Sequence, residues 1–326
     1  MTQTHETMRG IALNQFGGAD VLKIQTLPMP DIEPDEVLIR VQTAGVGEWD
    51  PFEREGGYAE MTGAEPKFPY VLGSEGAGTI AAVGDQVRQF KTGDQVYSPA
   101  FLNPKGGFYA EYAVVKANLV APVPDYLTLP QAGVMSGVGI TALRGLEDTL
   151  KLKSGESILI FGASGGIGHI ALQLAKKMGA RVFAVASGAD GVDLARELGA
   201  DEVVDGHKDD VLSAIRAFAP SGLDAALLTA GGDVAEKALE GLRAGGRVAY
   251  PNGIQPEPTL RDGIEIIGYN GEPEPDILKR FSRMIKEGPL VIHIAHTYPL
   301  EEAADAHKAL DEHYLGKLAL HVDDAQ

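Results

Sequence analysis

The stretch that decides the fold is Ser157-Ile158-Leu159-Ile160-Phe161-Gly162-Ala163-Ser164-Gly165-Gly166-Ile167-Gly168. Its first five residues form a strand-length apolar run. Beyond the glycines, apolar residues at 167, 170, 171, 174, 175 and 178 keep helical spacing until Gly179 ends the pattern. A glycine-rich hexapeptide alone is a weak signal, but strand, glycine turn and amphipathic helix in succession are the context that a dinucleotide fingerprint requires. Gly165 lets the backbone approach a pyrophosphate, and Gly168 lets helix and strand pack closely. The helix start offers unpaired N–H groups to the anion. Ala163 stands where the fingerprint usually has its first glycine, which a tight turn accepts if φ there is negative. Gly162, Ala163, Ser164, Gly165, Gly166, Ile167 and Gly168 are therefore expected to hold the cofactor.

Outward from this loop, apolar runs at Val182 to Ala186, Val203 to Val204, Ala225 to Leu228, Val248 to Tyr250 and Ile264 to Ile267 alternate with helical patterns. With 158–161 they make six strands of one doubly wound parallel sheet. Before Val123-Pro124 the texture differs: short β-rich runs such as Glu36 to Val41 and Tyr112 to Val115 are separated by Gly and Pro, the mark of a β-rich barrel-like domain. After Gly271 come helical patterns at Asp276 to Lys286 and Glu301 to Leu310, then the strand-like Lys317-Leu318-Ala319-Leu320. The expected division is an α/β dinucleotide-binding domain over residues 125–270 and a β-rich domain over 1–124 and 271–326.

At 326 residues and 44% hydrophobic, the chain is long enough for two cores. Its 46 acidic against 28 basic residues leave a formal charge of -18, which repels phosphate backbones and anionic lipid surfaces. Nucleic acid and membrane are not expected partners. No cysteine is present, so disulfides, thiolate zinc ligands and a cysteine nucleophile are all excluded. The polar start Met1-Thr2-Gln3-Thr4-His5-Glu6-Thr7 lacks a secretion-signal pattern, and a cytoplasmic location is the expectation.

At the end of the second strand, NAD-selective sheets present an acid to the ribose 2′-hydroxyl. Here the strand ends in Ala186-Ser187-Gly188. The missing acid leaves room for NADP, with Ser187 as a phosphate donor, although no Arg or Lys stands between Ala186 and Leu194. NADPH is the favoured cofactor, with NADH also possible. Asp190 reads as a helix N-cap.

Four further stretches give the chain a resemblance. They are Thr43-Ala44-Gly45-Val46-Gly47-Glu48-Trp49-Asp50, Val71-Leu72-Gly73-Ser74-Glu75-Gly76-Ala77-Gly78, Gly106-Gly107-Phe108-Tyr109-Ala110-Glu111-Tyr112 and Gly316-Lys317-Leu318. With the glycine loop, they resemble the medium-chain dehydrogenase/reductase superfamily, in its zinc-independent, zeta-crystallin-like quinone oxidoreductase branch. The resemblance covers essentially the whole chain and implies a GroES-like barrel for the β-rich domain. It also implies a homodimer, with Arg247-Val248-Ala249-Tyr250 near a sheet edge helping to pair two nucleotide domains.

In zinc-dependent members of the superfamily, the three catalytic ligands align with Gly47, Ser74 and Gly137. Glycine offers no side-chain ligand and serine is a poor one, so no metal is expected there. Without a Lewis acid, oxidation of an unactivated alcohol loses its usual alkoxide stabilisation. Hydride addition to a quinone or to the β-carbon of an enone remains feasible, because conjugation already spreads the developing charge. The resemblance implies this reaction, in a cleft between the two domains. The alternatives are a non-catalytic or weakly active NADPH-binding protein of crystallin-like or sensing role and, third, an alcohol dehydrogenase.

Tyr58 matches a family tyrosine and is the expected hydrogen-bond donor to the acceptor oxygen. A second family tyrosine is replaced by Phe52. Asp50 is read as orienting Arg54 or a water, with a solvated ion pair the plain outcome for either. Trp49 is expected to wall the site. The resemblance also places Thr141 near the cofactor phosphates and Thr229, Asn252, Gly253, Tyr269 and Asn270 around the nicotinamide. His293 and His296 lack a third metal ligand. His169 reads as packed or capping, and His307 and His313 as facing water.

Overall fold

The computed structural model describes residues 6–63 and 65–322. Two compact units emerge, one made of 1–137, 273–289 and 294–326, the other of 138–272 and 290–293.

The first unit opens with β1 (Thr7–Leu13), β2 (Lys23–Pro28), β3 (Glu36–Val46) and β4 (Tyr70–Val71). Strands β2, β1 and β4 form a small antiparallel sheet. β3 is buried along nearly its whole length, as its Val-Leu-Ile-rich sequence demands. It pairs with both β5 (Glu75–Val83) and, further out, β7 (Tyr112–Lys116), while β6 (Gln95–Pro99) joins β5 to β8 (Ala121–Pro122). Two helices of six residues, Trp49–Arg54 and Gly57–Thr62, interrupt this β-rich region. Gly56 separates them at φ +90, a conformation that glycine adopts without the clash a Cβ brings. Six residues are too few for helical periodicity to show, and both helices were invisible to pattern.

The expected boundary at 124 falls short. Thr128 and Gln131 form a reciprocal capping box on the helix Leu129–Gly133, and this helix lies so close to β3 that a Cβ at Gly133 would come within 2.8 Å of Thr43. The unit therefore keeps the chain to Gly137.

In the second unit, β9 (Ser157–Phe161), β10 (Arg181–Ala186), β11 (Glu202–Asp205), β12 (Leu223–Leu228), β13 (Leu242–Pro251) and β14 (Glu265–Tyr269) form one parallel sheet in the order β11-β10-β9-β12-β13-β14. This is the doubly wound order with its topological switch between β9 and β12. Leu159, Phe161, Phe183, Val185, Ala226, Leu228 and Val248 knit one core on it. The edges of the sheet are β11 and β14, and β13, which carries 247–250, lies next to β14 and is hydrogen-bonded on both sides.

The chain then returns. The helix Pro275–Lys286 docks on the first unit, where Ser282 Oγ meets the buried Tyr97 hydroxyl at 2.7 Å. β15 (Ile294–Pro299) and β16 (Lys317–His321) complete the larger sheet, β16 pairing antiparallel with β3. No helix among the described residues is long and apolar enough to cross a membrane.

Candidate active site

Five loops that follow strands of the parallel sheet carry expected cofactor residues: Gly162 after β9, Ser187 after β10, Thr229 after β12, Asn252 after β13 and Asn270 after β14. Parallel strands end on the same side, so these residues are gathered along one rim, where open α/β sheets bind ligands.

At the glycine loop, Gly162 takes φ +80 and makes the turn one residue before the fingerprint's usual position, while Ala163 stays out of the left-handed region. The two demands on the loop are thus split, and alanine is tolerated. Gly168 is needed for packing, because a Cβ there would overlap the Gly162 carbonyl oxygen. Gly165 is different. Its backbone is extended (φ -83, ψ -177), and a Cβ would find only Gly162 O, at an ordinary 3.5 Å. Space on that side, together with a twelve-residue helix whose N-terminus has no side-chain cap, fits a dinucleotide pyrophosphate. Ser164 is buried against Gly191, and His169 is packed, its Nδ1 2.9 Å from Gly165 O.

Thr229 reaches the same loop, donating from Oγ1 to Phe161 O at 2.8 Å. Asn252 donates to Asn270 Oδ1 at 2.8 Å, and Gly253 turns the following loop at φ +101. Tyr269 is buried with its hydroxyl donating to Thr141 O at 3.0 Å, so that phenol is spent on the fold. Asp190 lies in the first turn and accepts from Gly191 N; the N-cap position belongs to Ser187. Ser187 Oγ stands 2.9 Å from His207 Nε2, and Lys208 follows. The polar side chains beside Ser187 belong to the loop after β11, a neighbour in the sheet but remote in sequence, where Lys208 Nζ lies 3.2 Å from Asp205 Oδ2.

In the first unit, Trp49, Phe52, Tyr58 and Phe101 form a four-ring cluster, with Trp49 4.8 Å from Tyr58 and 5.4 Å from Phe101 between centroids. Phe52 keeps 39% of its surface exposed.

Asp50 and Arg54 overturn their reading as a solvated pair. Both are buried and they do not meet. Asp50 Oδ2 accepts from Gly47 N at 2.9 Å and from the Tyr109 hydroxyl at 2.9 Å. The same hydroxyl lies 3.2 Å from His307 Nε2, and Arg54 Nη1 donates to His307 Nδ1 at 3.0 Å. His307, expected to face water, is 3% exposed; the apolar half of its helix turns it inward. Burial and then the Arg54 charge push its pKa down to about 3, so the ring is neutral. Burial lifts Asp50 to about 6, against the opposing pull of the Gly47 amide, Lys317 and Tyr109. Burial also lifts Glu53, whose Oε1 accepts the Tyr70 hydroxyl, to about 7.

The positions aligned with zinc ligands surround a buried ion pair, Glu75 Oε1 to Lys317 Nζ at 3.0 Å. Glu75 Oε2 accepts from Gly137 N at 2.8 Å, and a Cβ at Gly47 would lie 3.2 Å from Lys317 Nζ. Gly47, Ser74 and Gly137 bring no imidazole, thiolate or carboxylate to this place. Among the described residues, no group of three or more His, Asp or Glu is arranged to hold a metal ion, the pair His293 and His296 included.

Residues 33–125 match the family model for the alcohol dehydrogenase GroES-like domain, and 166–260 match that for a zinc-binding dehydrogenase. The chain is 32% identical to the quinone oxidoreductase of Mus musculus, over 94% of this chain and 95% of that protein. It is 30% identical to a chloroplastic NADPH-dependent alkenal/one oxidoreductase of Arabidopsis thaliana, over 96% of this chain and 79% of that protein. Among solved structures, an NAD-dependent alcohol dehydrogenase superposes with a TM-score of 0.86 at 30% identity, covering 97% of this chain and 100% of that one.

Proposed function

Because the chain belongs to the medium-chain dehydrogenase/reductase superfamily, in its quinone oxidoreductase branch, we propose that it is an NADPH-dependent reductase of quinones or enones. The observation that carries this reading is a contrast within one molecule. The dinucleotide loop keeps its open backbone cradle, while Gly47, Ser74 and Gly137 supply no metal-ligating side chain. A reaction that needs a Lewis acid to stabilise an alkoxide is poorly served by such residues; one whose acceptor delocalises its own charge is not. The name of the alkenal/one oxidoreductase relative points the same way.

When bound, the reduced nicotinamide supplies a hydride. The protein's share is to bind, orient and supply hydrogen bonds. The glycine loop and Thr229 hold the dinucleotide. Ser187 and His207, with no acid closing β10, take the 2′-phosphate and select NADPH over NADH. Trp49, Phe52 and Phe101 give a conjugated acceptor flat rings to lie against, and Tyr58 donates to its oxygen. Two chains pair as a homodimer in the cytoplasm, with Arg247-Val248-Ala249-Tyr250 of β13 and the neighbouring edge strand β14 helping to join two nucleotide domains, since an open edge strand invites association.

The test is a screen of cofactor consumption over quinones, enones and aldehydes with NADPH and with NADH. Turnover of quinones or enones with NADPH is the expected result. Tight NADPH binding without turnover of any acceptor would overturn the enzymatic reading.

A further inference from the structure

Reduction by hydride leaves the acceptor one proton short, and the β-rich unit contains a carboxyl group built to hold one. We propose that Asp50 carries the proton that completes the reduction, and that Tyr109, His307 and Arg54 are the positioning residues that hold it for that task. This rests on the reductase reading above.

The direction of the hydrogen-bond chain follows from its ends. A guanidinium only donates, so Arg54 forces His307 Nδ1 to accept, and the ring proton must sit on Nε2. Nε2–H then donates to the Tyr109 oxygen, which leaves that hydroxyl's single proton for Asp50 Oδ2. With Gly47 N also donating, Oδ2 accepts two bonds. Asp50 Oδ1 is buried and has no hydrogen-bond partner among the described residues. A proton taken up by Asp50 therefore goes to Oδ1 and breaks no existing bond. Nor is the chain a conduit from the surface, because Arg54 does not release a proton. It is a clamp that fixes the carboxyl through Oδ2 and leaves the buried Oδ1 as the oxygen without a hydrogen bond.

In the step itself, the acceptor gains two electrons and one hydrogen nucleus with the hydride and a proton from Asp50 Oδ1–H. The Oδ1–H bond breaks, an O–H or C–H bond forms on the product, and Asp50 is left as a carboxylate that water reprotonates. The neighbours set the balance. Burial and Glu75 favour the neutral acid, while Lys317 and the Tyr109 bond favour the carboxylate. Glu53 and Tyr314 also feel the Asp50 charge. The result is a carboxyl that still holds a proton near pH 6, where an exposed aspartate does not.

The experiment measures kcat against pH with NADPH and an accepted quinone or enone, under conditions where a deuterium isotope effect shows hydride transfer to limit the rate. Asp50→Asn should lower kcat about 100-fold or more, the scale of a lost general acid, with NADPH affinity by calorimetry unchanged. Wild-type kcat should fall as pH rises through the Asp50 midpoint. Tyr109→Phe removes a bond that favours the carboxylate, so its descending limb should move to higher pH. His307→Gln, which can still accept from Arg54 and donate to Tyr109, should keep the wild-type profile, whereas His307→Leu should behave like Tyr109→Phe. In the cofactor-free protein, carbon-13 NMR of the Asp50 carboxyl should show a raised midpoint that rises further in Tyr109→Phe. A folded Asp50→Asn protein with wild-type kcat overturns the proposal, as does a limb abolished by Glu53→Gln instead. If Asp50→Asn does not fold, an unmoved limb in Tyr109→Phe is decisive against it. If wild type reduces no acceptor, the reductase reading falls by itself. The NMR midpoint then judges the clamp alone, and an Asp50 titrating at its ordinary value, unmoved by Tyr109→Phe, rejects it.

Discussion

Two glycines three residues apart in one loop should fail in opposite ways. At Gly165 the backbone is extended, which any residue adopts, and a Cβ meets only Gly162 O at 3.5 Å. Gly165→Val should therefore fold with stability within about 1 kcal/mol of wild type, the ordinary range for a substitution that disturbs no packing. Its branched side chain would stand where the pyrophosphate approaches, and NADPH affinity should fall at least about 100-fold, or about 2.8 kcal/mol at 1.4 kcal/mol per decade. At Gly168 the obstacle is main chain. A Cβ overlaps the Gly162 carbonyl oxygen and comes within 2.9 Å of Ala163 Cα, and neither atom can swing aside. The helix must move off β9, which puts Gly168→Ala in the range of core overpacking, about 1–3 kcal/mol, with a melting temperature several degrees lower. Calorimetric titration with NADPH and differential scanning calorimetry on both variants separate the two effects. Wild-type NADPH affinity in folded Gly165→Val would remove the loop from the cofactor site, and an undiminished melting temperature for Gly168→Ala would refute the packing argument.

Tyr58→Phe keeps the ring in its cluster and removes only the donor; kcat should drop about 10-fold to 100-fold with cofactor affinity unchanged, allowing for partial replacement by water, and an unaltered kcat and KM would leave Tyr58 a packing residue. Prolonged dialysis against a strong chelator should not change the rate, whereas loss of turnover restored by zinc, with metal found by elemental analysis, would contradict the reading of Gly47, Ser74 and Gly137. Ser187→Ala and His207→Ala should weaken NADPH binding and spare NADH, and equal losses for both cofactors would move the 2′-phosphate elsewhere. His307 gives a stability prediction whose sign is fixed by its direction of shift: its folded pKa of about 3 lies below the ordinary 6.5, so the unfolded chain binds a proton that the native chain refuses, and this group's effect is to lower stability as pH falls from about 6.5 toward 3. Chemical denaturation across that window should show a smaller pH dependence in His307→Gln than in wild type. Sedimentation at micromolar concentration should show a dimer, and a monomer alone would contradict the pairing through β14.

The parallel sheet was legible because its signals are local. Each strand from β9 to β14 contains a short apolar run, and the glycine loop sits within twelve consecutive residues. The residues of the loops after those strands were assigned to the cofactor by resemblance, and the sheet puts the loops on one rim because parallel strands end on the same side. What sequence did not reveal depends on contacts between distant segments. Asp50 meets Tyr109, and Tyr109 meets His307, across separations of 59 and 198 residues, and no spacing rule links them. The one available signal was weak: His307 stands between Ala306 and Ala309 near the apolar positions 300, 303 and 310, and its burial follows from that face. The approach of His207 to Ser187 was missed for the same reason, since β11 is beside β10 only once the sheet has formed.

The rim of the sheet also divides its labour by kind of atom. After β9 the loop offers peptide groups and demands mainly that side chains be absent, whereas after β10 and β11 the offering is Ser187, His207 and Lys208, all side chains. On the proposed reading, anchoring of the dinucleotide and discrimination between its phosphorylated and unphosphorylated forms are modular. The first is written in backbone shape and is intolerant of change at a few positions. The second is written in replaceable groups, so an acid grafted at the end of β10 should retune the preference toward NADH while the anchor is left as it is.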